Sequence, residues 1–234
     1  MQVNIKPYDA ILQTILIIVL VLMNSVLLFN HLSFWILGSV VLLKVYQILG
    51  GGGVHLWACH SLGADKLNNI YKPIILFFWM LCGIGRASHF CKYHIIHHYY
   101  CDKEGDPHSP NDHSALMLTL GLWTLTAHKR DKYITDTIQR SIDASFARIA
   151  RNPVANFLDK YHYTIIFSLL AVTTYLSPVL ALYIVVLPML LNIIDGNFFF
   201  VYYFHKGGAV KDIPWVDYWI LKSGSHKVHH KWLK

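Results

Sequence analysis

Residues 11–29, ILQTILIIVLVLMNSVLLF, pass nineteen positions without a charge. About 20 apolar residues cross the hydrocarbon core of a bilayer, so this stretch reads as a membrane span. No small-residue cleavage site follows it, which disfavours a removable signal peptide. Phe34–Leu49 is a second apolar run, broken only by Lys44, and the uncharged link Asn30–Ser33 folds the two into a tight hairpin. A lysine in such a run reads as snorkelling or facing the bundle. Tyr163–Phe204 holds 42 residues and one charge, Asp195. That is too long for one span and right for two, with Ser177-Pro178 as the turn between them. Ile74–Ile84 is apolar but only 11 residues long, and reads as an interfacial or re-entrant helix.

The expected fold is therefore an all-α integral membrane domain covering residues 1–234. Four spans lie near 9–30, 33–53, 163–180 and 181–204, in two hairpins. A helical cap comprises 54–162 and 205–234. Two hairpins put both termini and the cap on one side. Lys6, Lys66, Lys72, Arg151, Lys160, Lys206 and Lys211 lie near span ends on that side, and the far turns carry no lysine or arginine. The positive-inside rule makes the shared side cytoplasmic. Within the cap, Ile134, Ile138, Ile142, Phe146 and Ile149 recur at helical spacing. They mark an amphipathic helix, either on the headgroups or packed on its own domain.

Composition fits this plan and narrows the function. Hydrophobic residues make up 55% and charged residues 14%, against about 25% charged in soluble domains. A disordered chain is excluded, and an ordinary soluble globule is disfavoured by the long uncharged runs. The charge is +7, which suits an anionic partner, and there are 15 histidines, for which a plain anchor has no use. Cys59, Cys82, Cys91 and Cys101 form no C-x-x-C pair and read as small buried hydrophobes in a reducing compartment.

The histidines are clustered. His55 and His60 form H-x4-H; His94, His97 and His98 form H-x2-H-H; His226, His229 and His230 repeat H-x2-H-H. At 15 histidines in 234 residues, H-x2-H-H is expected roughly 0.06 times per chain, so its double occurrence calls for a cause. Positions i, i+3 and i+4 share one helical face, which aims three imidazoles at one volume. The i, i+5 pair diverges by roughly 140° on a regular helix, which points to more than one ion. Imidazole suits zinc, copper, iron and nickel. A structural zinc needs four ligands, and eight clustered histidines exceed that. Two ions with open positions fit better. Spacing does not separate iron from zinc. His205 closes the last apolar run and is counted as a ninth donor; His31, His89, His113, His128 and His162 read as structural or surface residues.

Taken together, these boxes resemble those of the membrane fatty-acid desaturases, closest to the stearoyl-CoA (acyl-CoA delta-9) type. Gly53 to His60 is similar to the first histidine box. His94 to His98 with Asp106-Pro107-His108 is similar to the second and its sequel, and Gly224 to His230 to the third. Leu120 to Trp123 sits where the family has a Gly-Trp pair. The resemblance implies a mushroom of four spans under a cytosolic cap. It implies a di-iron centre on His55, His60, His94, His97, His98, His205, His226, His229 and His230, with zinc as the substitute ion. Asn197, His108 and Asp106 are candidates for supporting or water-mediated contacts. The family's asparagine four residues before the last-span histidine is Val201 here. Trp57, Trp79 and Trp123 are candidates to line an acyl tunnel.

The implied reaction is oxygen-dependent desaturation of an acyl-CoA or acyl-lipid, with electrons from a carrier such as cytochrome b5 or ferredoxin and its reductase. The expected partners are these, O2 and the bilayer, with no nucleic acid. A hydroxylase or ketolase would use the same centre. A histidine-rich metal carrier would need polar residues within the spans to pass the ion, where only Lys44 and Asp195 are offered.

Overall fold

The computed structural model describes residues 8–30, 35–61, 67–207 and 230. Among these the chain is helical, with no strand. Helices α1 (Tyr8–Asn30), α2 (Trp35–Cys59), α3 (Tyr71–Leu81) and α4 (Ala87–Tyr100) are followed by short α5 (Ala115–Thr119) and α6 (Thr124–Ala127). Then come α7 (Asp136–Ala150), α8 (Pro153–Lys160), α9 (His162–Leu176) and α10 (Pro178–Tyr203). Three of them, α1, α2 and α10, are long and apolar enough to cross a membrane.

The third expected span, 163–180, is shorter than expected. Helix α9 has 15 residues, about 22 Å at 1.5 Å per residue, against a hydrocarbon core of about 30 Å. Ser177 ends it, and the Ser177 hydroxyl accepts from the Leu180 amide to start α10 with Pro178 in its first turn. The second span differs in the other direction. Helix α2 does not stop at residue 53 but continues to Cys59, so the first histidine pair begins on the long helix itself.

Helix α10 is the central element. More than half of its apolar window is buried, against about a quarter for α1 and α2. Leu16 and Leu20 of α1, Tyr46 of α2, Leu170 of α9, and Val186 and Met189 of α10 form one buried cluster. Residues Ala181–Val186 of α10 adopt a π turn, which shifts backbone pairing and leaves carbonyls to be satisfied from outside. Neighbouring helices supply the donors. Ser39 Oγ donates to Tyr183 O at 2.7 Å, Tyr46 Oη to Ile184 O at 2.7 Å, and Asn24 Nδ2 to Val186 O at 3.4 Å. The two flagged charges meet in the same bundle: Lys44 Nζ lies 3.6 Å from Asp195 Oδ2, and Gln47 bonds both side chains.

The glycines of α2 let α3 approach closely. A Cβ on Gly50 would lie 2.4 Å from the Phe78 carbonyl carbon and from the Trp79 amide nitrogen. Those are backbone atoms and cannot rotate away. Gly50→Ala is expected to push α3 off α2 and destabilise the protein by about 1–3 kcal/mol, the usual range for overpacking. Thermal unfolding in detergent measures it, and a neutral result would mean that α3 moves freely.

The amphipathic face of α7 is spent inside the protein. Ile138, Ile142 and Phe146 are buried against Tyr93 and Ile96 of α4. Nearby, burial pushes the His89 imidazole down to about 3, with Lys92 and Arg86 adding to the effect. The unfolded group, near 6.5, takes a proton that the folded one refuses. His89 therefore supports the fold fully above pH 6.5, and the support is lost as pH falls towards 3, by about 1.4 kcal/mol per pH unit. Unfolding midpoints between pH 7 and pH 5 should fall less in His89→Gln than in the parent. Equal slopes would contradict the assignment.

Candidate metal centre

Four imidazoles converge where α2 ends against α4. His94 Nε2 lies 2.9 Å from His55 Nε2, 3.0 Å from His60 Nε2 and 2.9 Å from His98 Nε2, and the His55–His60 nitrogens are 3.1 Å apart. One ring nitrogen either donates one proton or accepts at one in-plane lone pair. It cannot serve three neighbours by hydrogen bonding. Four lone pairs around a cation resolve the conflict. Metal–imidazole bonds of about 2.0–2.1 Å at right angles put two nitrogens about 3.0 Å apart, which is the spacing seen.

The convergence of His55 and His60 has a backbone cause. Residues His55–Cys59 form a π turn, and the His60 amide donates to His55 O at 3.1 Å. Closing the turn from i to i+5 stacks residues that an α-helix would splay apart. The i, i+5 spacing therefore serves one group here, and the expected divergence of the pair is replaced by contact.

A second group sits beside the first. Ligand atoms of His97, Cys101, His205 and His230 all lie within 4.8 Å of one another. Its histidines are backed by carboxylates. His97 Nδ1 donates to Asp106 Oδ2 at 2.8 Å, and His205 Nδ1 to Asp102 Oδ2 at 3.0 Å. Such partners fix the tautomer with the proton on Nδ1 and the lone pair on Nε2, the form that can ligate a metal. His97, Asp106 and His108 also fall within ligand distance of each other. The use of Nδ1 on Asp106 makes that carboxylate a support for His97 instead. It accepts as well from the amides of Asp102 at 2.7 Å and His108 at 3.0 Å, which locks the Asp106-Pro107-His108 turn. The His108 ring stacks on His97 at 4.2 Å, and burial, then His97, pushes its basicity well below the usual value.

Helix α4 is shared between the groups. His94 and His98 face the first and His97 the second, and His98 stacks on His230 at 4.5 Å. His226 and His229 lie outside the described residues. The structure thus brings together seven of the nine expected donors, and each group offers at least three nitrogen donors to a metal ion.

The remaining expected residues are placed as follows. Asn197 Nδ2 donates to Thr119 O at 3.4 Å, about 12 Å along the helix axis from His205. Trp57 is buried with Leu76 and Trp79. Trp79 Nε1 donates to Gly85 O at 2.6 Å, and its ring lies 4.8 Å from Phe90. Trp123 packs 4.8 Å from His108 and 6.0 Å from Tyr93. Three residues not singled out by spacing also belong to the site. Asp102 adopts φ +62° just past α4 and so reaches His205. Cys101, one residue earlier, adds a sulfur to the second group. Phe90, one turn before His94 on α4, stacks on it at 5.1 Å.

Comparison of the chain with protein-family models, with curated proteins and with solved structures gives no match.

Proposed function

We propose that the protein is an oxygen-dependent fatty acyl desaturase of a membrane, with two iron ions held by the histidine groups. The observation that carries this reading is the pair of adjacent imidazole groups at one end of a bundle of apolar helices. Bound iron would supply the oxidising power needed to take hydrogen from an unactivated methylene. The overall change is balanced: an acyl –CH2–CH2– unit, O2, two electrons and two protons give –CH=CH– and two waters.

The chain's own part is positional. His55, His60, His94 and His98 would hold one ion, and His97, His205 and His230 another, with His226 and His229 completing the set. Asp106 and Asp102 keep the Nδ1 protons of His97 and His205 in place, so that Nε2 faces the metal. In this reading α1, α2, α9 and α10 are the four spans, the histidines lie on the cytoplasmic side, and the apolar bundle admits an acyl chain while excluding water. The net charge of +7 suits an acidic electron carrier such as cytochrome b5 or ferredoxin.

Expression in cells of defined fatty-acid content, followed by mapping of double bonds, tests the reading. The parent is expected to add a monounsaturated species that His98→Ala and His230→Ala lack. A hydroxylated product without an alkene would overturn desaturation in favour of hydroxylation at the same centre. No oxidised lipid at all, from protein carrying iron, would remove the enzyme reading.

A further inference from the structure

A cavity of about 230 Å³ lies beside the first histidine group, between the end of α2, α4 and α7. Its lining includes His60 and His98, both buried, the hydroxyls of Ser61, Tyr99 and Ser141, the side chain of Arg148, and Cys59, Ile95 and Ala144. We infer that this cavity is the water-side port of the first histidine group, through which water, protons and small anions reach the metal. The inference rests on the metal reading above.

Size and lining point the same way. The cavity lies below the roughly 300–1,000 Å³ of sites for drug-sized ligands, yet has room for several waters. Three hydroxyls and a guanidinium share the lining with Cys59, Ile95 and Ala144, which gives water and small anions polar partners beside the two histidines. Among the described residues the lining holds no carboxylate, so the local charge favours an anion over a cation.

The walls are also held in place. Arg148 Nε donates to Ala58 O at 3.0 Å and a terminal nitrogen to Cys59 O at 3.2 Å, which ties α7 to the end of α2. Tyr99 and Ser141 oxygens lie 3.4 Å apart and bridge α4 to α7. Ser61 adopts φ +56°, a left-handed conformation uncommon outside glycine, and this sets its backbone at the cavity rim. The proposed reaction consumes two protons and releases two waters. Neither crosses an apolar bundle readily, whereas a hydroxyl-lined cavity passes both.

Azide, a small anionic metal ligand, probes the port directly. Ala144 lies on the cavity wall and is exposed, so Ala144→Cys can be labelled with a bulky maleimide after the iron-loaded, full-length protein has folded. Labelled parent protein controls for reaction at native cysteines. Azide is expected to give a saturable charge-transfer band with the oxidised parent. The label on Cys at 144 should slow its appearance at least about tenfold with iron content unchanged. Ser141→Trp should act in the same direction. An unchanged azide rate in the labelled variant, or no azide band in a parent that carries iron, would overturn the port and leave the metal reading standing. A parent without iron would overturn both.

Discussion

His94→Ala is expected to remove the metal of the first histidine group and reduce turnover below detection. The Nε2 of His94 is the common neighbour of three other imidazole nitrogens, at 2.9 to 3.0 Å. His98 Nε2 meets the group through it, while His55 and His60 also touch each other at 3.1 Å. Its loss therefore opens the group at its centre and not at its rim. Mutating a residue that merely supports a metal ligand costs about 10–100-fold in affinity or activity, and loss of the shared donor should exceed that. Asp106→Asn supplies the graded comparison. It keeps the shape around His97 but removes the charge that accepts the Nδ1 proton, so a 10–100-fold loss is expected with the second group still assembled. His113→Ala is the control, because His113 belongs to neither histidine group and its Nε2 donates to the Pro107 carbonyl at 3.2 Å. Metal content of the purified variants, read beside product formation, decides the case. A His94→Ala protein with the parent's metal content would sink the assignment of the first group.

The parts of this site that were legible in sequence are those governed by α-helical spacing. On α4 the i, i+3, i+4 pattern places three imidazoles on one face. That face is about 100° wide, which is why His94 and His98 can serve one ion while His97 serves the next. The stripe of α7 was legible in the same way, and burial of Ile138, Ile142 and Phe146 shows which of its two possible surfaces it meets. Where the backbone leaves the α-helix, spacing loses its meaning. His55 and His60 converge only because a π turn underlies them. Asp102 reaches His205 only because residue 102 turns left-handed, and no spacing rule predicts that for an aspartate beside a cysteine. Hydropathy likewise located the apolar helices but not their ends. It measures transfer from water, and a helix such as α2 can run on past its apolar stretch when its last turn is held by Arg148 on the Ala58 and Cys59 carbonyls.

The second large effect lies away from the metals, at the other end of α4. Arg86 Nη1 sits 3.2 Å from Asp9 Oδ2 of α1, and Nη2 sits 3.3 Å from Asp159 Oδ2 of α8. Asp9 and Asp159 are 1% and 5% exposed. Burial alone would weaken the guanidinium's hold on its proton, but Asp159 and Asp9 more than offset this and raise it above its ordinary value. The other oxygen of Asp159 accepts from the Ser88 amide at 3.0 Å. That amide is one of the unsatisfied donors at the start of α4, where negative charge is favourable. One arginine thus pins α1, α8 and the start of the helix that carries His94, His97 and His98.

Arg86→Met keeps most of the volume and removes the cation that two buried carboxylates share. Breaking a buried pair from one side costs about 3–5 kcal/mol, and a chain of this size loses about 2–4 °C of unfolding midpoint per kcal/mol. A fall of roughly 6–20 °C is therefore expected, together with weaker metal retention as the start of α4 loosens. Arg86→Lys should fall between, because one ammonium cannot reach both carboxylates in the fork that a guanidinium offers. Asp9→Asn with Asp159→Asn in the Arg86→Met background should recover much of the loss, since the penalty belongs to the stranded charges and not to the missing cation. If Arg86→Met unfolds within about 1 kcal/mol of the parent, the carboxylates are hydrated or protonated in the folded protein, and α4 is anchored by packing alone.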